Sequence, residues 1–259
     1  MKPVIVEFLG LTVHSYGLLI VIGGYMAYFF LSRAAKKEFD IAPEKISNLV
    51  FIIAAAAFIG GKVLFYLEDP SYYFGNPSNM FKNIGAGFVF FGSLLFAVPS
   101  TIWYFRKNKW PIIPMLDLLA ITAVIVHGFG RVGCFLAGCC HGIPTDSWIG
   151  VTFTDPMCQA EPLNTPLHPT QLYAVFMLAS FFLFLNWFRK RKQFHGQVFL
   201  IYIMLYSIGR STIEVFRGDE ARGFIIGDWF SHSQFISLCI FMVAAVTYFI
   251  WKKKPSLKA

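Results

Sequence analysis

Three cations stand in stretches of sequence that are otherwise almost wholly apolar: Lys62, Arg131 and Arg210. A charge at bilayer depth costs at least ~2.5–3.5 kcal/mol, so such a residue is paired or has a task. His127 precedes Arg131 by four residues, one turn back on the same helix face. Tyr206, Arg210, Glu214 and Arg217 step by four, four and three, with Asp219 just beyond. Glu214 is placed to orient Arg210 and offset its charge. A polar stripe of that length on an apolar helix faces a cavity or a bundle interior rather than lipid. Guanidinium groups bind phosphate bidentately, and a low dielectric strengthens the contact. The expected chemistry is recognition of a phosphate. The alternative is that the cations snorkel to headgroups or pair with carboxylates, which suits Lys62 better than either Arg.

These residues need apolar helices to carry them, and the composition supplies them. Of 259 residues 56% are hydrophobic and 14% are charged, against about 25% charged in a soluble domain. The mean hydropathy is +0.59. A disordered chain, a collagen-like fibre and an ordinary soluble globule are excluded. A membrane span takes about 20 apolar residues. Seven stretches qualify: 15–32, 47–67, 86–105, 115–136, 170–188, 197–216 and 233–251. The expected fold is all-α, a polytopic integral membrane protein of about seven transmembrane helices. Residues 1–259 form one transmembrane domain, and the Pro-rich connection 137–169 forms a small outer-face head within it. The segment 68–84, with Tyr72, Tyr73 and Phe74, is expected to lie along the membrane surface. Gly60 and Gly61 are expected to permit close helix packing.

The net charge of +8 raises nucleic acid as a partner, and the positions of the cations argue against it. Fifteen Lys and Arg fall in the connections after spans one, three, five and seven, and four fall on the opposite side. They read as topology signals, with the N-terminus outside and the C-terminus cytoplasmic. Lys62, Arg131 and Arg210 lie some 13–16 residues into inside-to-outside spans, roughly 20 Å from the cytoplasmic edge. A phosphate site at that height faces the outer leaflet, so its ligand is expected to be a phospholipid headgroup. The N-terminal MKPVIVEFLGL lacks a small-residue cleavage site and is not expected to be a removable signal peptide.

Five ordered blocks carry a family resemblance. HGFGRVGCFLAGCCHG (127–142) resembles the signature of the prolipoprotein diacylglyceryl transferases, and HPTQLY (168–173) and YSIGRSTIEVFRGDE (206–220) resemble its later motifs. HSYGLL (14–19) and GGK (60–62) resemble its N-terminal ones. The resemblance implies transfer of the diacylglyceryl group of phosphatidylglycerol to the lipobox Cys thiol of lipoprotein precursors. A thioether forms and glycerol 1-phosphate leaves, the first step of bacterial lipoprotein maturation, at the outer face of the cytoplasmic (inner) membrane. It implies no metal or organic cofactor. Arg131 and Arg210 would bind the phosphate, with Glu214 orienting Arg210. Tyr16 would hydrogen-bond the headgroup, and the backbone at Gly142 would approach the substrate. Lys62, Tyr206 and Arg217 complete the expected phosphatidylglycerol-binding set.

The chain departs from the family pattern at two places. Phe91, in FVFFGS (88–93), occupies the position of a His often proposed as base, and Cys134 and Cys139 replace an Asn and a Glu. His127 becomes the expected general base. Cys134, Cys139, Cys140 and His141 bring zinc to mind, but paired CxxC spacing is missing and adjacent cysteines do not easily share one tetrahedral ion. They are expected to be small packing residues or a reactive thiol, with no metal. The odd count of five Cys argues against a disulfide framework. His168 is expected to fix its loop through its ring nitrogens. Intramembrane Arg would also suit a lipid or anion transporter, but no repeated halves are visible. A structural scaffold would have no use for two partnered Arg.

Overall fold

The computed structural model describes residues 1–8, 11–82, 85, 87–218, 223–226 and 230–258. Nine helices are found among them: α1 Ser15–Phe39, α2 Pro43–Glu68, α3 Pro70–Gly75, α4 Ser78–Lys82, α5 Phe90–Lys107, α6 Ile112–Ala137, α7 Thr170–Arg189, α8 Gln197–Glu214 and α9 His232–Lys252. Strands are confined to three antiparallel pairs: β1 Val4–Phe8 with β2 Leu11–His14, β3 Val151–Thr152 with β4 Pro166–Leu167, and β5 Phe224–Ile226 with β6 Phe230–Ser231. In the first pair Val4 faces His14 and Phe8 faces Leu11.

Each of the seven expected spans coincides with one long helix. Helices α1, α2, α6, α7 and α9 are long and apolar enough to cross a membrane. Helices α5 and α8 have 18 residues each. Their polarity has identifiable sources: Arg106 and Lys107 end α5, and Gln197, Arg210 and Glu214 lie on α8. Large apolar side chains point outward from these helices, with Phe51 74%, Phe176 72% and Val243 67% exposed. Such faces need lipid around them. The chain is an all-α polytopic membrane protein. The third span starts later than expected. Gly87 has a left-handed φ of 67°, Val89 is extended and donates its N–H to Gly61 O at 3.2 Å, and the helix begins at Phe90.

The chain divides into two compact units, Ser32–Met115 and the remainder, Met1–Leu31 with Leu116–Ala259. In the Ser32–Met115 unit, α2 packs closely on α5 because glycines meet. A Cβ on Gly92 would run into Gly60 O and come within 2.7 Å of Leu64 Cβ. Ser93 Oγ donates to Ala57 O at 2.9 Å beside this crossing. Gly92→Ala is expected to destabilise the protein by about 1–3 kcal/mol through overpacking. A lower unfolding midpoint in detergent would show it, and an unchanged midpoint would refute it. The segment 68–84 contains α3 and α4, with Tyr73 buried while Tyr72 and Phe74 are exposed.

The larger unit has its core where α6, α7 and α8 meet, around Ile121, Val124, Leu178, Leu185 and Val198. Helix α8 receives its N-terminal cap from another helix. The buried Asp117 carboxylate of α6 accepts from Gly196 N at 2.9 Å, Phe199 N at 3.0 Å and Lys192 Nζ at 3.0 Å. This satisfies two of the amide donors that a helix start leaves unpaired. Helix α9 has its own capping box between Ser231 and Gln234. The head, 138–169, closes over Phe153, Cys158, Ala160 and Leu167. Gly142 N donates to His168 O at 2.8 Å, and His168 N donates to Ile143 O at 3.0 Å.

Candidate functional site

Helices α6 and α8 bring the predicted residues together within the larger unit. Arg131 Nε donates to His127 Nε2 at 3.2 Å, one turn apart on α6. The His127 ring lies 5.4 Å from the Tyr206 ring of α8. One turn beyond Tyr206, Arg210 forms an ion pair with Glu214, whose side chain is 3% exposed. The charges of Arg131 and Arg210 both act on the His127 imidazole. The two guanidinium groups therefore sit on neighbouring helices, each one turn from a single aromatic contact.

The counter-charge is itself held. Ser231 Oγ, at the start of α9, donates to Glu214 Oε1 at 3.1 Å. One carboxylate oxygen thus serves Arg210 and the other serves Ser231. The His127 bond uses Arg131 Nε, and among the described residues no hydrogen bond is found from the terminal nitrogens of Arg131.

Tyr16, at the start of α1, is 45% exposed. Its backbone lies against Gly133, where a Cβ would come within 3.1 Å of Tyr16 Cα. Gly142 forms a bridge with Arg217 just after α8. A Cβ there would meet Phe216 O and lie 2.6 Å from His168 Cβ. The close approach at Gly142 is thus to the chain itself. His168 fixes its loop as expected, with Nδ1 2.9 Å from Tyr173 Oη. Lys62 lies in the other unit, where Nζ donates to Gly87 O at 2.9 Å and sits 5.3 Å from the Phe65 ring centroid. Asp219 lies outside the described residues.

A family model described as prolipoprotein diacylglyceryl transferase matches residues 3–251. The chain belongs to this family. Among curated members, the phosphatidylglycerol–prolipoprotein diacylglyceryl transferase of Clostridium tetani is 37% identical over 251 residues, covering 96% of this chain and 97% of that protein. The second enzyme of that name in Clostridium perfringens is 33% identical, covering 98% of this chain and 97% of its own. The one from Dehalococcoides mccartyi is 28% identical, covering 99% and 96%.

In this diacylglyceryl transferase an apolar cavity of about 490 Å³ lies along α7 and α8, lined among others by Tyr173, Met177, Leu205, Ile208, Gly209 and Phe216. Three thiols also converge at the end of α6. The sulfurs of Cys134, Cys139 and Cys140 all lie within 4.8 Å of one another. Hydrogen bonds from Cys134 and Cys139 hold the Cys140 thiol below its ordinary range, and Arg217 and Arg131 act in the same direction. The expectation that adjacent cysteines do not easily share one ion meets a structure in which both sulfurs lie on one side with that of Cys134. Cys140 adopts a left-handed φ of 61° after Gly138 at 76°, which turns the thiols to one side. One residue that holds the site carried no weight in the sequence reading: Ser231 is a generic cap residue until its second bond is seen. Asp117, which supports the start of α8 rather than the site itself, had a signal, a carboxylate inside an apolar span.

Proposed function

We propose that this membrane transferase moves the diacylglyceryl group of phosphatidylglycerol onto the lipobox cysteine thiol of lipoprotein precursors. The supporting observation is the pairing of Arg131 and Arg210 about the His127–Tyr206 contact. Phosphatidylglycerol and prolipoprotein are what the curated relatives' names specify. In the proposed reaction the thiol sulfur attacks the terminal glyceryl carbon. The C–S bond forms as the C–O bond to phosphate breaks, and the electron pair leaves on the phosphate oxygen of glycerol 1-phosphate. Free Cys is only a few per cent ionised at neutral pH, so a base must accept the thiol proton. His127 is assigned that role: its Nε2 lone pair accepts from Arg131 Nε at rest and takes the thiol proton once Arg131 turns to the phosphate. Arg131 and Arg210 meet charge growing on the leaving phosphate, the kind of preorganised stabilisation that dominates many active sites. Glu214 fixes Arg210 in place.

Tyr16, Tyr206 and Arg217 border the clamp and are assigned to the headgroup, and the cavity along α7 and α8 suits an acyl chain or an apolar peptide segment. Gly142 serves by letting the head pack on the chain after α8, which places Arg217. The charge asymmetry of the connections supports an outside N-terminus, a cytoplasmic C-terminus and a head on the outer face.

Purified protein in vesicles of phosphatidylglycerol, given a lipobox peptide, should yield a lipid-linked peptide and one equivalent of glycerol 1-phosphate. Headgroup transport without peptide product would instead favour a transporter. In the same assay His127→Gln is expected to lower turnover by roughly 10²–10⁴-fold, the usual contribution of a general base. Turnover at the wild-type level in that variant would remove His127 from the mechanism.

A further inference from the structure

The proposed transfer reaction assigns no task to the three converging thiols. Their sulfurs lie mutually within 4.8 Å. A Zn–S bond of 2.3 Å puts tetrahedral sulfur ligands about 3.8 Å apart, so small side-chain rotations close the set on one ion. The scaffold is already arranged for this. Cys134 is on the last turn of α6, and the chain then reverses through left-handed Gly138 and Cys140. A non-Gly residue at positive φ is uncommon, and its surroundings must hold it there. Those surroundings are explicit. Thr170 Oγ1 donates to Cys140 O at 2.6 Å, and the buried Gln171 donates from Nε2 to Cys139 O at 2.7 Å. The loop carbonyls are anchored while the sulfurs face one another.

The geometry points to a three-thiolate binding site for a soft d10 cation, such as zinc(II), built from Cys134, Cys139 and Cys140. Thiolates select soft ions over magnesium or calcium, and the cluster contains no carboxylate. Binding releases to solvent the protons that the thiols still hold and leaves one net negative charge around a divalent ion. Arg131 and Arg217 lie within electrostatic reach to offset it. His141 is not a ligand: its Nε2 accepts from Glu161 N at 3.2 Å. The fourth tetrahedral position goes to water, as in open zinc sites.

Cadmium(II) is the probe. Reduced full-length protein in detergent is titrated with cadmium chloride while the ultraviolet thiolate-to-metal absorption is followed. One equivalent should bind, and the unfolding midpoint should rise with loading. Losing an outer-shell partner costs 10–100-fold in metal affinity, so each of C134S, C139S and C140S should weaken binding on the order of 10²-fold. C158S, outside the trio, should bind as the wild type does. X-ray absorption on the loaded wild type should show three sulfur neighbours, a reading that does not depend on any variant folding. Equal affinity in C139S and wild type, or fewer than three sulfur neighbours, overturns the site.

Discussion

Arg131→Lys should lower diacylglyceryl transfer by roughly 10²–10³-fold, the scale of losing one donor to a developing oxyanion. The substitution retains the positive charge and removes the fork. Arg131 uses Nε to reach His127 at 3.2 Å, and in the proposed mechanism its two terminal nitrogens grip the phosphate. An ammonium is a single point of charge on a flexible stem and cannot hold both partners in that arrangement. The same reasoning applies to Arg210→Lys, because one guanidinium nitrogen is held by Glu214. The loss should fall on kcat more than on KM, since the charge being met develops as the phosphate departs. Single-turnover measurement of lipidated peptide gives the answer. If Arg131→Lys stayed within a few-fold of wild type, a plain positive charge would be enough and the bidentate grip would be wrong.

The second large effect concerns stability. Asp117 is fully buried and serves three donors, including the ammonium of Lys192. Asp117→Ala removes the carboxylate and strands Lys192, whose side chain is 10% exposed. Breaking one side of a buried pair typically costs about 3–5 kcal/mol, because the remaining charge has no partner. The two backbone amides at the start of α8 lose their acceptor as well, adding to the cost. The variant should unfold at markedly lower temperature in detergent and yield less folded protein. Lys192→Met should recover part of the Asp117→Ala loss by removing the stranded charge. An Asp117→Ala midpoint matching wild type would show that α8 starts well without this cap.

Residues separated by one helical turn were legible in the sequence. His127 with Arg131, and Arg210 with Glu214, are i,i+4 pairs whose contact follows from 3.6 residues per turn. The glycine contact between α2 and α5 was legible in kind, since Gly60 and Gly61 allow close approach, although the partner Gly92 was not named. Contacts that depend on backbone reversal or on distant helices were not legible. Periodicity says nothing about a left-handed Cys140, so the convergence of the adjacent thiols was not legible. Asp117 meets Gly196 and Phe199 some 80 positions later, a pairing only tertiary packing creates. The short hairpin at the N-terminus was also missed, because a few alternating apolar residues resemble the start of an apolar span.

The double duty of Ser231 has a consequence for biosynthesis. Its hydroxyl receives the Gln234 amide at the head of α9 and donates to Glu214 at the foot of α8. A nascent chain that has emerged only through α8 carries both arginines but lacks this fastening for the Arg210 counter-ion. The Arg210–Glu214 pair is thus fastened only once the last helix has been made, and a polypeptide interrupted before residue 231 lacks the hydroxyl that holds its carboxylate.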